Sequence, residues 1–182
     1  SIDAPCSYTL TTGGYIAYIG RLSYEKGYDL LVEVARKHPE IKFRFAGAQR
    51  EQKNTDIPSN VEFAGYLQKD KLLEFIQKAR FIVIPSRCYE GFPMAILEAA
   101  CHGKPAIASN HGGFTEIIGQ GENAIGKLFE PGNIDDLDKQ IAELWNNQTL
   151  TEELGEKAFR KLKKHYDSEV VYKQWETLFS KL

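Results

Sequence analysis

Short apolar runs alternate along the chain with longer segments in which apolar residues recur at helical spacing. The runs predict strands at 15–20, 42–47, 61–65, 81–86, 105–110 and, more briefly, 126–132. The spacing predicts helices at 26–38, 69–79, 92–103 and 115–119, followed by three more at 134–146, 150–165 and 168–182. This alternation is typical of βα units that build a parallel sheet. We therefore predict an α/β fold, a Rossmann-like doubly wound parallel sheet of about six strands with C-terminal helices.

The predicted topology also indicates where a ligand should bind. A chain of 182 residues suits one domain, taken here as 1–182. In doubly wound sheets, ligands bind outside the carboxyl ends of the strands. The segments that follow the predicted strands read GRLSYEKG, AGAQREQ, GYLQ, SRCYEGFP and SNHGGFTE. We expect the functional residues to gather at this edge.

Charge and cysteine content narrow the class of protein. The chain has 23 Lys and Arg against 25 Asp and Glu, so no global attraction to nucleic acid or an anionic membrane is expected. Its three cysteines are odd in number and lack CxxC spacing, which argues against a disulfide framework or zinc site and suits a reducing compartment. We find no signal-peptide pattern and no apolar run near 18 residues, so a cytoplasmic protein without a transmembrane segment is expected.

Two cations in the loop GRLSYEKG are candidates for binding an anion. Arg21 and Lys26 lie between a predicted strand and a predicted helix, with Gly27 at the helix start. The free N–H groups of a helix N-terminus together with two cations make a good diphosphate site. The alternative is that both are solvated surface charges, or that Lys26 pairs with Glu25 or Asp29.

Two glutamates lie eight positions apart in the stretch EGFPMAILEA. Pro93 suits a helix start, so Glu90 falls in the loop and Glu98 about one and a half turns into the helix. There Glu98 lies at the margin of the apolar face, where an unpaired buried carboxylate would cost several kcal/mol. Two acceptor-only carboxylates suit vicinal hydroxyls, and the N–H groups of Phe92 and Met94 could donate to the same ligand. The alternative is a Glu90 that favours the helix dipole and a Glu98 paired with a surface lysine.

Four ordered motifs resemble those of one enzyme family. GRLSYEKG resembles the GRL-x-x-EKG loop, and EGFPMAILEA the E-x7-E motif, of the retaining group 1 glycosyltransferases, also called family 4, which have the GT-B fold. SNHGGFTEII resembles their GG-x-x-E loop, and GKLFEPGNIDDL their next strand, turn and helix. The match runs from about residue 15 to about residue 146. Thr115 stands where the family often has Pro, and Glu116 matches the motif glutamate, to which we assign no contact.

The resemblance implies roles for the matching residues. Arg21 and Lys26 would hold the diphosphate of a nucleotide sugar and neutralise the leaving group, and Glu90 would bind hydroxyls of the donor sugar. Glu98 would bind the ribose hydroxyls, and the backbone at Leu67 would meet the base. The implied catalytic residues are Arg21, Lys26 and Glu90, and the implied donor-binding residues are Gly20, Leu67, Gly91, Phe92, Pro93, Met94 and Glu98.

The resemblance also implies partners. The donor would be a nucleotide-diphosphate sugar, with no other cofactor and no metal, because Arg21 and Lys26 would do what a divalent ion does elsewhere. A GT-B enzyme has two domains, so we expect this chain to be the C-terminal half, inactive without an N-terminal acceptor domain; nucleic acid is not an expected partner. Peripheral membrane contact of a full enzyme is compatible with this interpretation. The stretch 168–182 resembles the tail helix that crosses toward the first domain, although packing on its own domain is favoured.

Three other interpretations fit some of these residues. The chain could be a non-catalytic nucleotide-binding module or a partner subunit that completes its site on association. It could also be an unrelated doubly wound domain, flavodoxin-like or regulatory, in which the motifs are coincidental. Paired carboxylates also occur in glycosidases, but the resemblance makes Glu90 and Glu98 binders of different parts of a donor.

Overall fold

The computed structural model describes residues 7–9, 14–48 and 56–165, and its elements follow the predicted alternation. The strands are Tyr15–Ile19 (β1), Phe43–Ala46 (β2), Val61–Gly65 (β3), Ala79–Ile84 (β4), Ala106–Ser109 (β5) and Gly126–Phe129 (β6). The helices are Tyr28–Lys37 (α1), Lys69–Lys78 (α2), Met94–Ala100 (α3), Gly112–Ile118 (α4), Ile134–Asn146 (α5) and Gln148–His165 (α6), with single 3-10 turns at Tyr24–Lys26 and Gly121–Asn123. The helix predicted at 168–182 lies outside the described residues.

The six strands form one parallel sheet in the order β3-β2-β1-β4-β5-β6. The chain winds outward in one direction from β1 to β3, then returns to β4 and winds in the other direction to β6. This arrangement confirms the predicted Rossmann-like doubly wound fold. The winding reverses between β1 and β4, and the crevice at the carboxyl ends of these two strands is where such sheets bind ligands.

The sheet is buried on both faces. In β1, Tyr15 and Ala17 belong to the apolar cluster on one face, whereas Ile16 and Tyr18 belong to the cluster on the other. Helices α2, α3 and α4 cover the first face, and α1 and α5 cover the second. Burial on both faces explains why the central strands read as continuous apolar runs instead of alternating with polar residues. Strand β3, at the edge of the sheet, is only partly buried.

Helix α3 is shorter than the predicted 92–103 and ends in a turn closed by glycine. The N–H of Gly103 donates to the carbonyl of Ala100, and the N–H of Lys104 donates to that of Ala99, both at 3.0 Å. With Gly103 at a φ of 67°, these bonds form a Schellman motif. The predicted stop at Gly103 is therefore the end of the capping motif.

Two other helices begin earlier than predicted. Helix α4 starts at Gly112, after an extended His111, because both glycines of the GG pair join the helix. Helix α6 starts at Gln148, where Asn147 accepts a hydrogen bond from the N–H of Leu150 at 3.0 Å and caps the helix. Composition favoured a loop at the GG pair, and tertiary contacts overrode that preference.

One expectation from the cysteine count was wrong. Cys101 is disulfide-bonded, whereas Cys88 is a free thiol. Cysteine spacing in sequence does not reveal which side chains approach each other in space, so this bond could not be predicted. Within the described ranges, no helix is both long enough and apolar enough to span a membrane.

Candidate functional site

A glycine brings the loop after β1 against the end of β4. Gly27 has a φ of 69° and directly precedes α1, as predicted. A Cβ atom at this position would lie 1.8 Å from the carbonyl oxygen of Pro85, the residue that follows β4. Only glycine tolerates both the conformation and the close approach. Lys26, the last residue of the 3-10 turn, is thereby held beside the loop after β4.

Lys26 and Glu90 meet in that crevice. The Lys26 ammonium donates a hydrogen bond of 2.5 Å to Glu90 Oε1, and the two side chains are only 19% and 22% exposed. The alternative pairing of Lys26 with Glu25 or Asp29 is therefore not observed. Both side chains line a cavity of about 110 Å³, whose other lining residues are Tyr18, Ile19, Gly20, Ile84, Pro93, Met94 and Ala95. Five of the ten predicted site residues are thus brought together.

The other predicted residues of the loops lie outside the lining of this cavity. Arg21 is half-exposed, with its guanidinium 3.5 Å from Glu25 Oε1. Gly91 is exposed and Phe92 keeps more than half of its surface in solvent. Leu67 is partly buried and packs against the core. These four predicted residues therefore do not line the cavity that Lys26 and Glu90 share.

Glu98 is half-buried on α3, one turn beyond Met94, at the margin that the helical angle predicted. Burial raises the pKa of the Glu98 carboxyl group. In the part of the chain that the structure describes, no cation or hydrogen-bond donor pairs with this carboxylate. The alternative in which Glu98 pairs with a surface lysine is therefore not observed, and the carboxylate oxygens remain available as acceptors.

The GG pair of SNHGGFTEII positions Glu90, a role that the sequence did not reveal. The N–H of Gly113 donates to the carbonyl of Glu90 at 2.8 Å. A Cβ at Gly113 would lie 2.3 Å from the carbonyl oxygen of Gly91, so any larger residue would push the two loops apart. The preceding His111 donates from Nε2 to the carbonyl of Ser86 at 3.0 Å and stacks against the Tyr89 ring. The loop after β5 thus supports the loop after β4.

Sequence reasoning also missed Tyr18 and Arg87. Tyr18 lines the cavity, and its hydroxyl donates to the carbonyl of Arg21 at 2.6 Å. Burial raises the pKa of this phenol, and the nearby Glu90 carboxylate raises it further, so the hydroxyl stays neutral. Arg87 joins the loop after β4 to α1 through Asp29. The sequence gives little sign of this ion pair, because Asp29 and Arg87 lie 58 positions apart. The one signal is that Asp29 is a carboxylate in the first turn of a helix.

No three His, Cys, Asp or Glu side chains are grouped as metal ligands within the described ranges. Lys26 and Glu90 form an ion pair in the crevice, and Arg21 and Glu25 form a more exposed one in the loop after β1. A phosphate group and sugar hydroxyls are the ligand chemistry that a cation beside a carboxylate can accept.

Comparisons with known proteins identify the family. Residues 9–161 match the family model described as glycosyl transferases group 1. An uncharacterized glycosyltransferase of Methanocaldococcus jannaschii is 35% identical over 76% of this chain and 40% of its own length. The sulfoquinovosyl transferase of Arabidopsis thaliana is 32% identical over 84% of this chain and 30% of its own length. The chain therefore spans less than half the length of these relatives.

Solved structures agree with the fold. TarM of S. aureus, in a complex that includes UDP, superposes with a TM-score of 0.77 at 26% identity, covering 97% of this chain and 37% of TarM. HepE of Anabaena in complex with UDP gives a TM-score of 0.80 at 21% identity, covering 93% and 49%. The C-terminal domain of the group 1 family protein LpcC of Francisella tularensis gives 0.71 at 21% identity, covering 87% and 89%. The chain belongs to the group 1 glycosyltransferases and corresponds in fold to their C-terminal domain.

Proposed function

We propose that this chain binds a nucleotide-diphosphate sugar and is the donor-binding domain of a retaining glycosyltransferase. The observation that carries this proposal is the pairing of Lys26 with Glu90 in one cavity at the carboxyl ends of β1 and β4. A cation for the diphosphate and a carboxylate for sugar hydroxyls are held next to each other, as binding the two halves of one donor requires. The TarM structure, from a protein 26% identical to this chain, contains UDP, which supports a nucleotide ligand for this family.

Lys26 would stabilise the leaving group. When the bond between the anomeric carbon and the β-phosphate oxygen breaks, its electron pair stays on the diphosphate as negative charge. The Lys26 ammonium has three N–H groups, and one bond to Glu90 leaves two that can donate to phosphate oxygens. By analogy with oxyanion donors, a preorganised donor of this kind lowers the free energy of the transition state by roughly 3 to 4 kcal/mol.

Arg21 would add a second cation at the margin of the crevice. Its ion pair with Glu25 is long and half-exposed. Exposed ion pairs contribute little to stability, so exchanging this partner for a phosphate would cost little. The carbonyl of Arg21 is held by the Tyr18 hydroxyl, which fixes the backbone from which the side chain extends.

The two glutamates would bind different parts of the donor. Glu90 would accept hydrogen bonds from hydroxyls of the donor sugar, beside the backbone of 91–94. Glu98 would accept hydrogen bonds from the ribose hydroxyls, since its half-buried carboxylate pairs with no residue in the part of the chain that the structure describes. The backbone at Leu67, in the loop after β3, would meet the base. We propose these roles from the resemblance to the family motifs, and the cavity beside Glu90 and the half-burial of Glu98 support them.

Transfer would need a second, N-terminal domain that binds the acceptor. The match covers only 40% and 30% of the length of these two relatives, which supports a two-domain enzyme. Closing two domains over a donor excludes water and aligns the acceptor hydroxyl, and such positioning can contribute about 7 to 11 kcal/mol. The isolated chain would therefore bind donor without transferring sugar, and the complete enzyme would transfer it with retention of anomeric configuration.

Calorimetric titration tests the proposal. The purified chain is titrated with UDP, GDP, ADP and their glucose conjugates, and with the matching nucleosides. Binding of at least one nucleoside diphosphate and its sugar conjugate, much tighter than the nucleoside, is expected. Mass spectrometry of reactions with sugar and lipid acceptors then compares sugar transfer by this chain alone with transfer by a protein in which the N-terminal acceptor domain precedes it.

Three results would count against parts of the proposal. The absence of binding to any nucleoside diphosphate would overturn it. Acceptor-dependent transfer by the isolated chain would overturn the need for a second domain. Binding without transfer by the two-domain protein would favour a non-catalytic nucleotide-binding module or a partner subunit.

A further inference from the structure

We propose that Arg87 is a positioning residue that fixes Lys26 against Glu90 by clamping the loop after β4 to the loop after β1. Arg87 lies outside the cavity lining, so it would act on the donor only through these two residues. The inference rests on the proposed function, because it assigns Arg87 a role in donor binding.

The Arg87 side chain spans the gap between the two loops with a planar fork. Nη1 donates to Asp29 Oδ1 at 2.7 Å, and Nη2 donates to Asp29 Oδ2 at 2.8 Å. Nη1 also donates to the carbonyl of Tyr24 at 2.7 Å, and the guanidinium carbon lies 4.0 Å from the centre of the Tyr24 ring. One side chain therefore holds the start of α1 and the 3-10 turn that contains Lys26. Lysine could not reproduce the two parallel bonds to Asp29.

The backbone makes a second set of bonds at the same place. The carbonyl of Glu25 accepts from the N–H of Arg87 at 2.8 Å and from the N–H of Cys88 at 3.2 Å. Glu25 directly precedes Lys26, and Arg87 lies three residues before Glu90. The contacts therefore tie together the two chain segments from which the paired side chains extend.

The pair needs this support because its members sit on separate loops. Lys26 has a flexible four-carbon stem, and its ammonium is a point charge that does not impose a direction on its partner. An ion pair between two mobile loops would hold neither side chain in one place. With both loops clamped, the ammonium is preorganised beside Glu90, and less freedom is lost when a diphosphate binds.

Arg44 offers a matched control. It donates to Glu62 at 2.6 Å, its guanidinium lies 4.8 Å from the centre of the Tyr15 ring, and its burial is similar to that of Arg87. It lies on β2 and does not line the cavity. Loss of a largely buried arginine ion pair in general would affect both positions, whereas a positioning role belongs to Arg87 alone.

A double-mutant cycle tests the inference. UDP, GDP and ADP are titrated into wild type, Arg87→Lys, Asp29→Asn, Arg44→Lys, Lys26→Ala and the double variant Lys26→Ala/Arg87→Lys. Arg87→Lys and Asp29→Asn should each weaken binding of the preferred nucleoside diphosphate by about 5- to 20-fold, because either change breaks the fork. Arg44→Lys should stay within about twofold of wild type. In the Lys26→Ala background, Arg87→Lys should add no further loss, because the residue through which it acts is gone.

Equal losses from Arg87→Lys with and without Lys26, or an equal loss from Arg44→Lys, would overturn the inference. Native-state hydrogen exchange gives a measurement that needs no ligand. The amides of Arg87 and Cys88, which donate to Glu25, should exchange about tenfold faster in Arg87→Lys than in Arg44→Lys. If wild type binds none of the three nucleotides, the proposed function fails, and unchanged exchange at these amides would show separately that the clamp fails.

Discussion

Two lysines with little exposed surface lie at opposite ends of the strands, Lys26 at the carboxyl ends and Lys104 at the amino ends, and are held in different ways. At the carboxyl edge, Lys26 donates to the Glu90 carboxylate and faces a cavity. At the amino edge, Lys104 precedes β5, is 2% exposed, and donates to the carbonyl of Thr9 at 2.8 Å. Burial lowers the pKa of Lys104 to about 8. The first lysine thus faces a carboxylate beside a cavity, whereas burial disfavours the charged form of the second.

The comparison shows that a buried cation alone does not indicate a binding site. Around Lys104, the described segment 7–9 covers the edge, with the Tyr8 ring against Gly103 and the Ser7 carbonyl against the His102 ring. These contacts pack the segment 7–9 against the loop that precedes β5. Around Lys26, two loops approach closely and still leave a cavity with paired charges. A cavity that a lysine and a carboxylate line together distinguishes the candidate site.

The largest expected effect comes from Gly27→Ala, which would break the carboxyl edge. The new Cβ would lie 1.8 Å from the Pro85 carbonyl oxygen, at a positive φ that alanine rarely adopts. We expect the free energy of unfolding to fall by about 3 to 4 kcal/mol, measured by urea denaturation. Nucleoside-diphosphate binding should fall as well, because Lys26 moves with the loop.

Gly121→Ala is the control that measures the cost of a positive φ alone, without a steric clash. Gly121 has a φ of 64° and nothing near its would-be Cβ, so this variant should lose only about 1 kcal/mol. Equal losses from the two variants would show that the approach to Pro85 contributes nothing.

Lys104 should make stability depend on pH at the other edge. Its folded pKa of about 8 lies below the ordinary lysine value, so the unfolded chain binds more protons between these two pKa values. Stability should therefore rise with pH between about 8 and 10.5, by up to about 3 kcal/mol relative to Lys104→Met. Urea denaturation across this range measures the difference. The exposed Lys164→Met variant should follow wild type; a Lys104→Met curve parallel to wild type would contradict the assignment.

Lys26→Ala should separate diphosphate binding from nucleoside binding. Loss of a charge-assisted contact should weaken binding of the preferred nucleoside diphosphate by about 30-fold, or about 2 kcal/mol, in calorimetric titration. Binding of the matching nucleoside should change less than about twofold, because it carries no phosphate.

Lys127→Ala is the matched control for Lys26→Ala. Lys127 donates to Glu143 at 2.6 Å with similar exposure, but lies on β6. This variant should leave both affinities unchanged. Equal losses of nucleoside and nucleoside diphosphate in Lys26→Ala would contradict the phosphate role.

The pattern of apolar residues predicted the fold because burial on both sheet faces leaves a local signal in every strand. The helical angle likewise predicted the half-burial of Glu98, which depends only on neighbours along α3. The contacts of Arg87 with Asp29 and of Gly113 with Glu90 could not be predicted, because they depend on how separate loops meet after folding. The disulfide bond of Cys101 could not be predicted for the same reason. Local periodicity therefore predicts elements and faces, and long-range loop contacts require the structure.

The smallest expected effect belongs to Glu98→Gln. Because burial raises the pKa of Glu98, the folded chain binds more protons than the unfolded chain just above the ordinary glutamate pKa, and stability falls as pH rises through the folded pKa. The amide removes this loss, so the variant should be at least as stable as wild type at pH 7 by urea denaturation. Binding of a ribonucleoside diphosphate should weaken by about 5- to 10-fold, because the amide accepts fewer hydroxyl bonds.

The 2′-deoxy form of the same nucleotide distinguishes hydroxyl binding from a general change in the site. It lacks one of the hydroxyls proposed to reach Glu98, so its affinity should differ less between wild type and Glu98→Gln than that of the ribonucleotide. The exposed Glu153→Gln variant serves as control and should match wild type in stability and in both affinities. If Glu98→Gln unfolds, or binds both nucleotides as wild type does, the carboxylate does not accept the ribose hydroxyls. A selective loss of the ribonucleotide would extend the binding surface from the pair at Lys26 and Glu90 along α3 to Glu98.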